Sequence, residues 1–390
     1  MRGKDGKSAR SAQIGGWPKF DGRGAIEEAT LFRIRPSLCS PQLDRCRILY
    51  LPLGLFLMFV TVTPAMSQDE AARHCAELSL ANPTLGIQSC TAAIHSGHFT
   101  GDALAAMFGI RGSAYYTTRA FSQAISDFDQ AIRIKPDFAE AFNARGEAYS
   151  AVGDYNRAIQ DYDEAIQLKP DLAAAFADRG LTYYRKGEYS RAIQDYDQAI
   201  RLKPELAEAF FGRGQAYHAN GNYDRALEGY DQAIQLKPDA ETYFKRGNSY
   251  YAKGDFVPAV GDYDRAIQLN PDLAYFNNRG NALSAMGKYD LAIADYDEAI
   301  RRKPDLAESL VGRGGAFAGK GDYDRAIQDF DQAIRLDPLD PTAVYNRGTI
   351  LSKMGKQDQA IADFDQAIRL KPDYSAAFDN RGLVYASKVD

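Results

Sequence analysis

Four side chains, Cys75, Cys90, His95 and His98, have types that could do chemistry together. Their spacing, C-x14-C-x4-H-x2-H, offers two thiolates and two imidazoles, a zinc-type ligand set. It matches no familiar zinc spacing, however. Of the chain's four cysteines, Cys39 and Cys46 precede a segment that reads below as an export signal; the two left in an exported chain favour the other reading, a Cys75–Cys90 disulfide closing a short loop. A second candidate is the recurring Asp-x-Asp, as at Asp195 and Asp197. On a helix this pair does not supply the encircling oxygens that Ca²⁺ requires. The second Asp of each pair is therefore expected on a solvated outer face, in some copies bonded four residues on, as Asp197 to Arg201. The chain holds four His and no nucleophile–base constellation or phosphate-binding loop. No metal or cofactor is expected, and the chain reads as not an enzyme.

Charge narrows the partners. Residues 1–67 hold ten Lys/Arg and five Asp/Glu, whereas the remainder holds 37 and 47. An acidic body does not suit a phosphate backbone, so nucleic acid is not expected as a partner.

The elements that would position these residues repeat. Pro136, Pro170, Pro204, Pro238, Pro271, Pro304, Pro338 and Pro372 fall 33 or 34 residues apart, and Gly112 to Gly382 keep the same step. Each unit contains two helical patterns. In "AEAFNARGEAYSAVG" Phe142, Gly146 and Tyr149 share one face. In "DYNRAIQDYDEAIQLKP" Tyr155, Ala158, Ile159, Tyr162, Ala165 and Ile166 form a stripe. Gly153 and Asp154 punctuate the join, Asp154 is placed to cap the second helix, and Pro170 stops it. Such a pair cannot bury its own apolar face, but stacked pairs bury a continuous core.

With Ala139 as position 1, the matches Phe142 (4), Gly146 (8), Tyr149 (11), Ala158 (20), Tyr162 (24), Ala165 (27) and Pro170 (32) resemble the tetratricopeptide repeat. Eight full repeats span 105–374, followed by a lone first helix at 375–390. The resemblance implies an all-α fold, a right-handed superhelical solenoid of antiparallel helix pairs. The chain departs from the family at two positions. Position 7 is Arg in all nine copies, from Arg111 to Arg381. Position 23 is Asp in seven of eight, with Gly229 the exception. Opposite charges gained together predict an Arg–Asp bridge between first and second helices, inside a repeat or across to the next, because a guanidinium can hold a carboxylate with two bonds; the rival reading is a ladder of Arg binding an acidic partner.

The family's concave groove is lined by first helices at positions 2, 5, 6, 9, 12 and 13. Carried over, that gives a partner-binding set of Asp178, Tyr184, Arg185, Phe211, Gln215, His218, Phe244, Lys245, Asn248, Tyr251, Asn277, Asn278 and Asn281. Phe211 and Phe244 are extra to the core pattern and read either as peptide anchors or as packing against the neighbouring first helix. Asn278, Asn346 and Asn380 share position 6, which resembles in part the Asn ladder of O-GlcNAc transferases. Gly212, Lys245 and Gly312 interrupt it. The Lys/Asn clamp that some family members use for a chaperone's C-terminal carboxylate is absent.

Ahead of the repeats, residues 48–62 form an apolar run behind Arg45 and Arg47, and Ala65-Met66-Ser67 fits a cleavage site. The run is short for a membrane span. The expected organisation is a leader at 1–47, either a mis-assigned start or a disordered stretch, then a signal peptide or N-terminal anchor at 48–67. A helical cap with the Cys75–Cys90 disulfide follows at 68–104. The expected location is periplasmic or extracellular, with a membrane-anchored form facing the periplasm as the alternative. The expected function is a non-catalytic scaffold binding a protein or extended peptide. The alternatives are a membrane-anchored envelope assembly factor and, more remotely, a repeat domain associated with a transferase. The terminal helix is expected to leave Leu383 and Val384 partly exposed, as an edge for self-association.

Overall fold

The computed structural model describes residues 75, 77–79 and 81–389. The leader, the apolar run at 48–62 and the cleavage site lie outside them. The described residues are helical, without strands, and none of their helices is long and apolar enough to cross a membrane.

The chain divides into two compact units between Pro204 and Glu205. The first contains α1 (Pro83–His95), α2 (Gly101–Thr117), α3 (Phe121–Ile134), α4 (Ala139–Ala151), α5 (Tyr155–Leu168), α6 (Ala173–Arg185) and α7 (Tyr189–Leu202). The second contains α8 (Ala207–Ala219), α9 (Tyr223–Leu236), α10 (Ala240–Lys253), α11 (Phe256–Leu269), α12 (Leu273–Ala285) and α13 (Tyr289–Arg302). It continues through α14 (Ala307–Gly319), α15 (Tyr323–Leu336), α16 (Pro341–Lys353), α17 (Gln357–Leu370) and α18 (Ser375–Val389). Within each unit the helices pair as the 34-residue period predicts, first helix against second.

The pairs close because one side supplies a gap and the other a ring. Tyr162 is fully buried, and its ring lies against Gly146, where an added Cβ would stand 2.7 Å from Tyr162 Cε1. Ala158 and Ala165 flank it with no exposed surface, so α4 and α5 approach closely. First helices are sandwiched. α4 buries Ala139, Ala141, Ala144, Ala148 and Tyr149 around much of its circumference, whereas α5 buries only Ala158, Asp161, Tyr162 and Ala165. The second helices are therefore amphipathic, with their other face in water.

The turns follow the sequence signals. Gly153 takes φ 85°, which costs glycine little, and the Asp154 side chain accepts from the Arg157 amide at 3.2 Å to cap α5. The first repeat breaks this rule, with Arg119 at φ 62° in the slot that Gly153 fills in the next. Left-handed backbone costs an ordinary residue about 1–2 kcal/mol. Arg119→Gly should therefore stabilise the α2–α3 pair by roughly 1 kcal/mol, read as a higher urea midpoint. An unchanged or lower midpoint would mean that the Arg119 side chain contributes more than its backbone loses.

The terminal helix corrects one expectation. Leu383 is 68% exposed, but Val384 is buried against Val344, Phe364 and Ala377. Helical spacing turns Val384 inward toward α17 and leaves Leu383, Phe378 and Tyr385 outward.

Candidate functional site

The position-7 arginines are structural. Arg145 donates from Nε and Nη2 to the two carboxylate oxygens of Asp161, at 2.8 and 2.6 Å, across its own helix pair. Its Nη1 reaches back to Asp129 of the preceding repeat at 2.6 Å. The same three-bond arrangement recurs at Arg246 with Asp262 and Asp231, at Arg313 with Asp329 and Asp297, and at Arg347 with Asp363 and Asp331. Arg179 and Arg279 make the same two-acid contact. Arg111, in the first repeat, holds Asp127 and gives its remaining donor to Thr91 Oγ1 at 3.0 Å. Burial works against the Arg145 charge, but the bonds to Asp161 and Asp129 outweigh it and its pKa rises.

This corrects the reading of position 25. These aspartates do not simply face water; seven of them, Asp129, Asp163, Asp231, Asp264, Asp297, Asp331 and Asp365, bridge to the Arg of the following first helix. Arg201, expected to bond Asp197, bonds Gln198 instead. The Gly229 exception also has a cause. A Cβ there would stand 3.0 Å from Phe210 O and Gly214 Cα, so an Asp would require the closely packed α8 and α9 to give way.

Cys75 and Cys90 are joined in a disulfide, with Cα atoms 5.1 Å apart. The sulfurs are thereby withdrawn from the Cys2His2 reading, and His95 and His98 are exposed. Among the described residues no cluster of three His, Cys, Asp or Glu could hold a metal ion.

In the first unit Asp178, Tyr184 and Arg185 lie on α6 but differ in surroundings. Asp178 is buried and receives Asn143 Nδ2 at 2.9 Å. Tyr184 is half-buried against Tyr189, with ring centroids 5.7 Å apart. Arg185 is exposed and donates to Ser150 Oγ at 3.0 Å. Sequence reasoning missed Asn143 and Glu147, which join Asp178 in one polar cluster: Asn143 Nδ2 also donates to Glu147 Oε1 at 3.0 Å. Burial, then Asp178 beside it, pushes the Glu147 carboxyl well above its usual range. Burial also pushes Asp178 up, to about 6. The available signal was an acid at position 9 followed by one at position 6 of the next repeat.

In the second unit several predicted residues are held by packing. Phe211 is buried beside Tyr230, with centroids 5.9 Å apart. Phe244 stacks on Tyr275 of the next first helix at 4.7 Å and on Tyr263 at 5.9 Å. Phe244 thus packs against the neighbouring first helix, whereas Phe211 packs on the second helix of its own pair. Asn277 is buried, donating to Glu308 and accepting from Ser309. His218 bonds Ser249 Oγ through Nδ1 at 2.8 Å, and burial followed by the Lys245 charge lowers its pKa. Gln215 and Lys245 are half-buried, and Tyr251 is 39% exposed beside Phe256.

The asparagines are held by neighbouring side chains. Asn248 Oδ1 accepts from Tyr263 Oη at 2.8 Å and from Asn278 Nδ2 at 2.9 Å. One repeat on, Asn281 Oδ1 accepts from Tyr296 Oη at 2.7 Å. Asn248 and Asn281, both at position 9, are each fixed by the position-24 tyrosine of their own pair.

The TPR repeat family model matches residues 112–153, 151–187, 180–221 and 214–254. Two tetratricopeptide repeat models match 277–341, and 240–273 with 341–374. Together they take in most of the chain, which belongs to the tetratricopeptide repeat family. No curated protein matches it. Among solved structures, a tetratricopeptide repeat protein from Parabacteroides merdae ATCC 43184 is 19% identical, covers 63% of this chain and 98% of its own, and superposes with a TM-score of 0.51. That likeness is one of fold. The MamA protein is 26% identical over 43% of this chain and 92% of its own, with a TM-score of 0.41. YrrB, described as a TPR protein with an unusual peptide-binding site, is 20% identical over 57% of this chain and 97% of its own, with a TM-score of 0.36.

Proposed function

We propose that this protein is a non-catalytic interaction scaffold that takes an extended peptide or a partner protein's segment along its first helices. The observation that carries this is the fixed asparagine set of Asn248, Asn278 and Asn281. An amide held in place by a buried tyrosine loses little freedom when it bonds a peptide backbone, so less affinity is spent on ordering. Tyr251, Gln215 and Lys245 stand near it in the sequence of first-helix positions and supply aromatic and polar contacts. Membership of a repeat family, with repeats over most of the chain, supports a binding role over catalysis.

The proposed setting is the cell envelope, on the strength of the basic-then-apolar run and the small-residue site at 65–67. A membrane-anchored form differs only in retaining residues 48–62, and the intact mass of the natively made protein distinguishes the two.

A photo-crosslinking amino acid placed at Tyr251 should give a discrete adduct in native envelope fractions. The same group at Val257, on the outward face of α11, should not. Adding Asn248→Ala to the Tyr251 probe should reduce the adduct several-fold. Equal labelling from both positions would remove the first-helix face as the binding surface.

A further inference from the structure

We propose that Glu147 and Asp178 share a single proton, and that this proton fastens α4 of the second repeat to α6 of the third. This does not depend on the scaffold reading above. Asn143 Nδ2 donates to Glu147 Oε1 at 3.0 Å and to Asp178 Oδ2 at 2.9 Å, so one amide nitrogen draws both carboxyls together. Asn143 is 1% exposed, Asp178 8% and Glu147 9%, which leaves water little access. At the other end of the same amide, Asn143 Oδ1 is buried with no hydrogen-bond partner. Nearby hydroxyls do not make up the shortage: Thr182 donates to the Asp178 main-chain oxygen and shares a bond with Ser150. The cluster therefore holds more acceptors than donors.

Two ionised carboxylates at one buried nitrogen would repel each other and each lose hydration. A proton on one of them removes the repulsion and adds the missing donor, as in other close carboxyl pairs. Neighbouring charges decide which acid carries it. Tyr162 on α5 and Tyr196 on α7 are phenols that burial keeps neutral at ordinary pH, and Tyr116 on α2 faces Tyr162. Arg185 on α6 is the cation acting on Asp178. It favours charge on Asp178, so Glu147 carries the proton.

The sign of the pH effect follows. Both carboxyls bind protons more tightly folded than unfolded, so their stabilisation is full below about pH 4 and drains away as pH rises. With the proton assigned to Glu147, Asp178 gives up its own first, at about pH 6, and Glu147 continues the loss. Per proton, the local opening constant rises up to tenfold for each pH unit.

The test uses the full chain, with hydrogen-exchange protection factors in 139–185 measured from pH 5 to 9 and infrared spectra at pH 7. Wild type should show a protonated-carboxyl band and protection falling with pH. Glu147→Gln keeps the shape and the hydrogen bonds but has no proton to lose, so the band should vanish and the slope above pH 6 flatten. Asp178→Asn should retain the band but shift the slope to lower pH. Other buried carboxyls cancel in the comparison with Glu147→Gln. A wild-type spectrum without the band, or the same slope in wild type and Glu147→Gln, would overturn the proposal.

Discussion

Arg279→Met should destabilise the second unit by about 3–5 kcal/mol, the range for removing one partner of a buried ion pair. Arg279 holds Asp295 through two bonds, at 2.8 and 2.6 Å, and Asp295 has only 7% of its side chain exposed. Without the guanidinium that carboxylate is buried and uncompensated, and it will ionise only at a cost or take up a proton. Asp264, the other acid on the same arginine, has 44% of its side chain exposed. Water rehydrates what remains when it is lost, so Asp264→Asn should cost under about 1 kcal/mol. Urea unfolding of the two variants separates the roles. The double variant Arg279→Met/Asp295→Leu should recover much of the loss, because apolar replacements of a buried pair are often neutral or better. Equal costs for the two single variants would show that the bridges within and between repeats weigh the same, contrary to their burial.

The part of this architecture legible in the sequence was whatever recurs within one repeat. Proline, glycine and aromatic spacing located the helix pairs, because each pair is built from contacts local in the chain. The Arg–Asp partnership was legible for the same reason: Arg145 and Asp161 belong to one unit, and both depart from the family pattern together. Contacts that cross from one repeat to the next were not. Asp129 looks like a solvated helix residue until α4 is stacked beside α3 and brings Arg145 within 2.6 Å. Phe244 looks like a spare aromatic until Tyr275 of the following first helix stacks on it. The Asn143–Glu147–Asp178 cluster was hidden for a related reason. Polar residues at these positions are expected in water, and the one signal, an acid at position 9 followed by one at position 6 of the next repeat, does not announce that the three are covered. Gly229 is the inverse case, a departure visible in sequence whose cause is backbone proximity.

Position-8 glycines offer a second large effect, and the chain contains its own control. At Gly280 an added Cβ would lie 2.9 Å from Tyr296 Cε1 and 3.0 Å from Cζ, closer than real Cβ atoms stand. Tyr296 has nowhere to retreat. It is 1% exposed, and its hydroxyl is tied to Asn281 at 2.7 Å. Gly280→Ala must push α12 and α13 apart or move the ring off its bond, and overpacking of that kind costs about 1–3 kcal/mol. Gly280→Val should cost more, since branching at Cβ leaves fewer rotamers to absorb the clash. At Gly382, the same position in α18, an added Cβ would meet nothing within 4 Å. There only helix propensity acts, and Gly382→Ala should stabilise by roughly 0.5–1 kcal/mol. One substitution made at equivalent positions should thus change sign. Urea midpoints of the two alanine variants against wild type measure it. If both variants were stabilised, close contact with the position-24 ring would not be what excludes a side chain at position 8. If both were destabilised, a partner on α18 would have to fill the space beside Gly382.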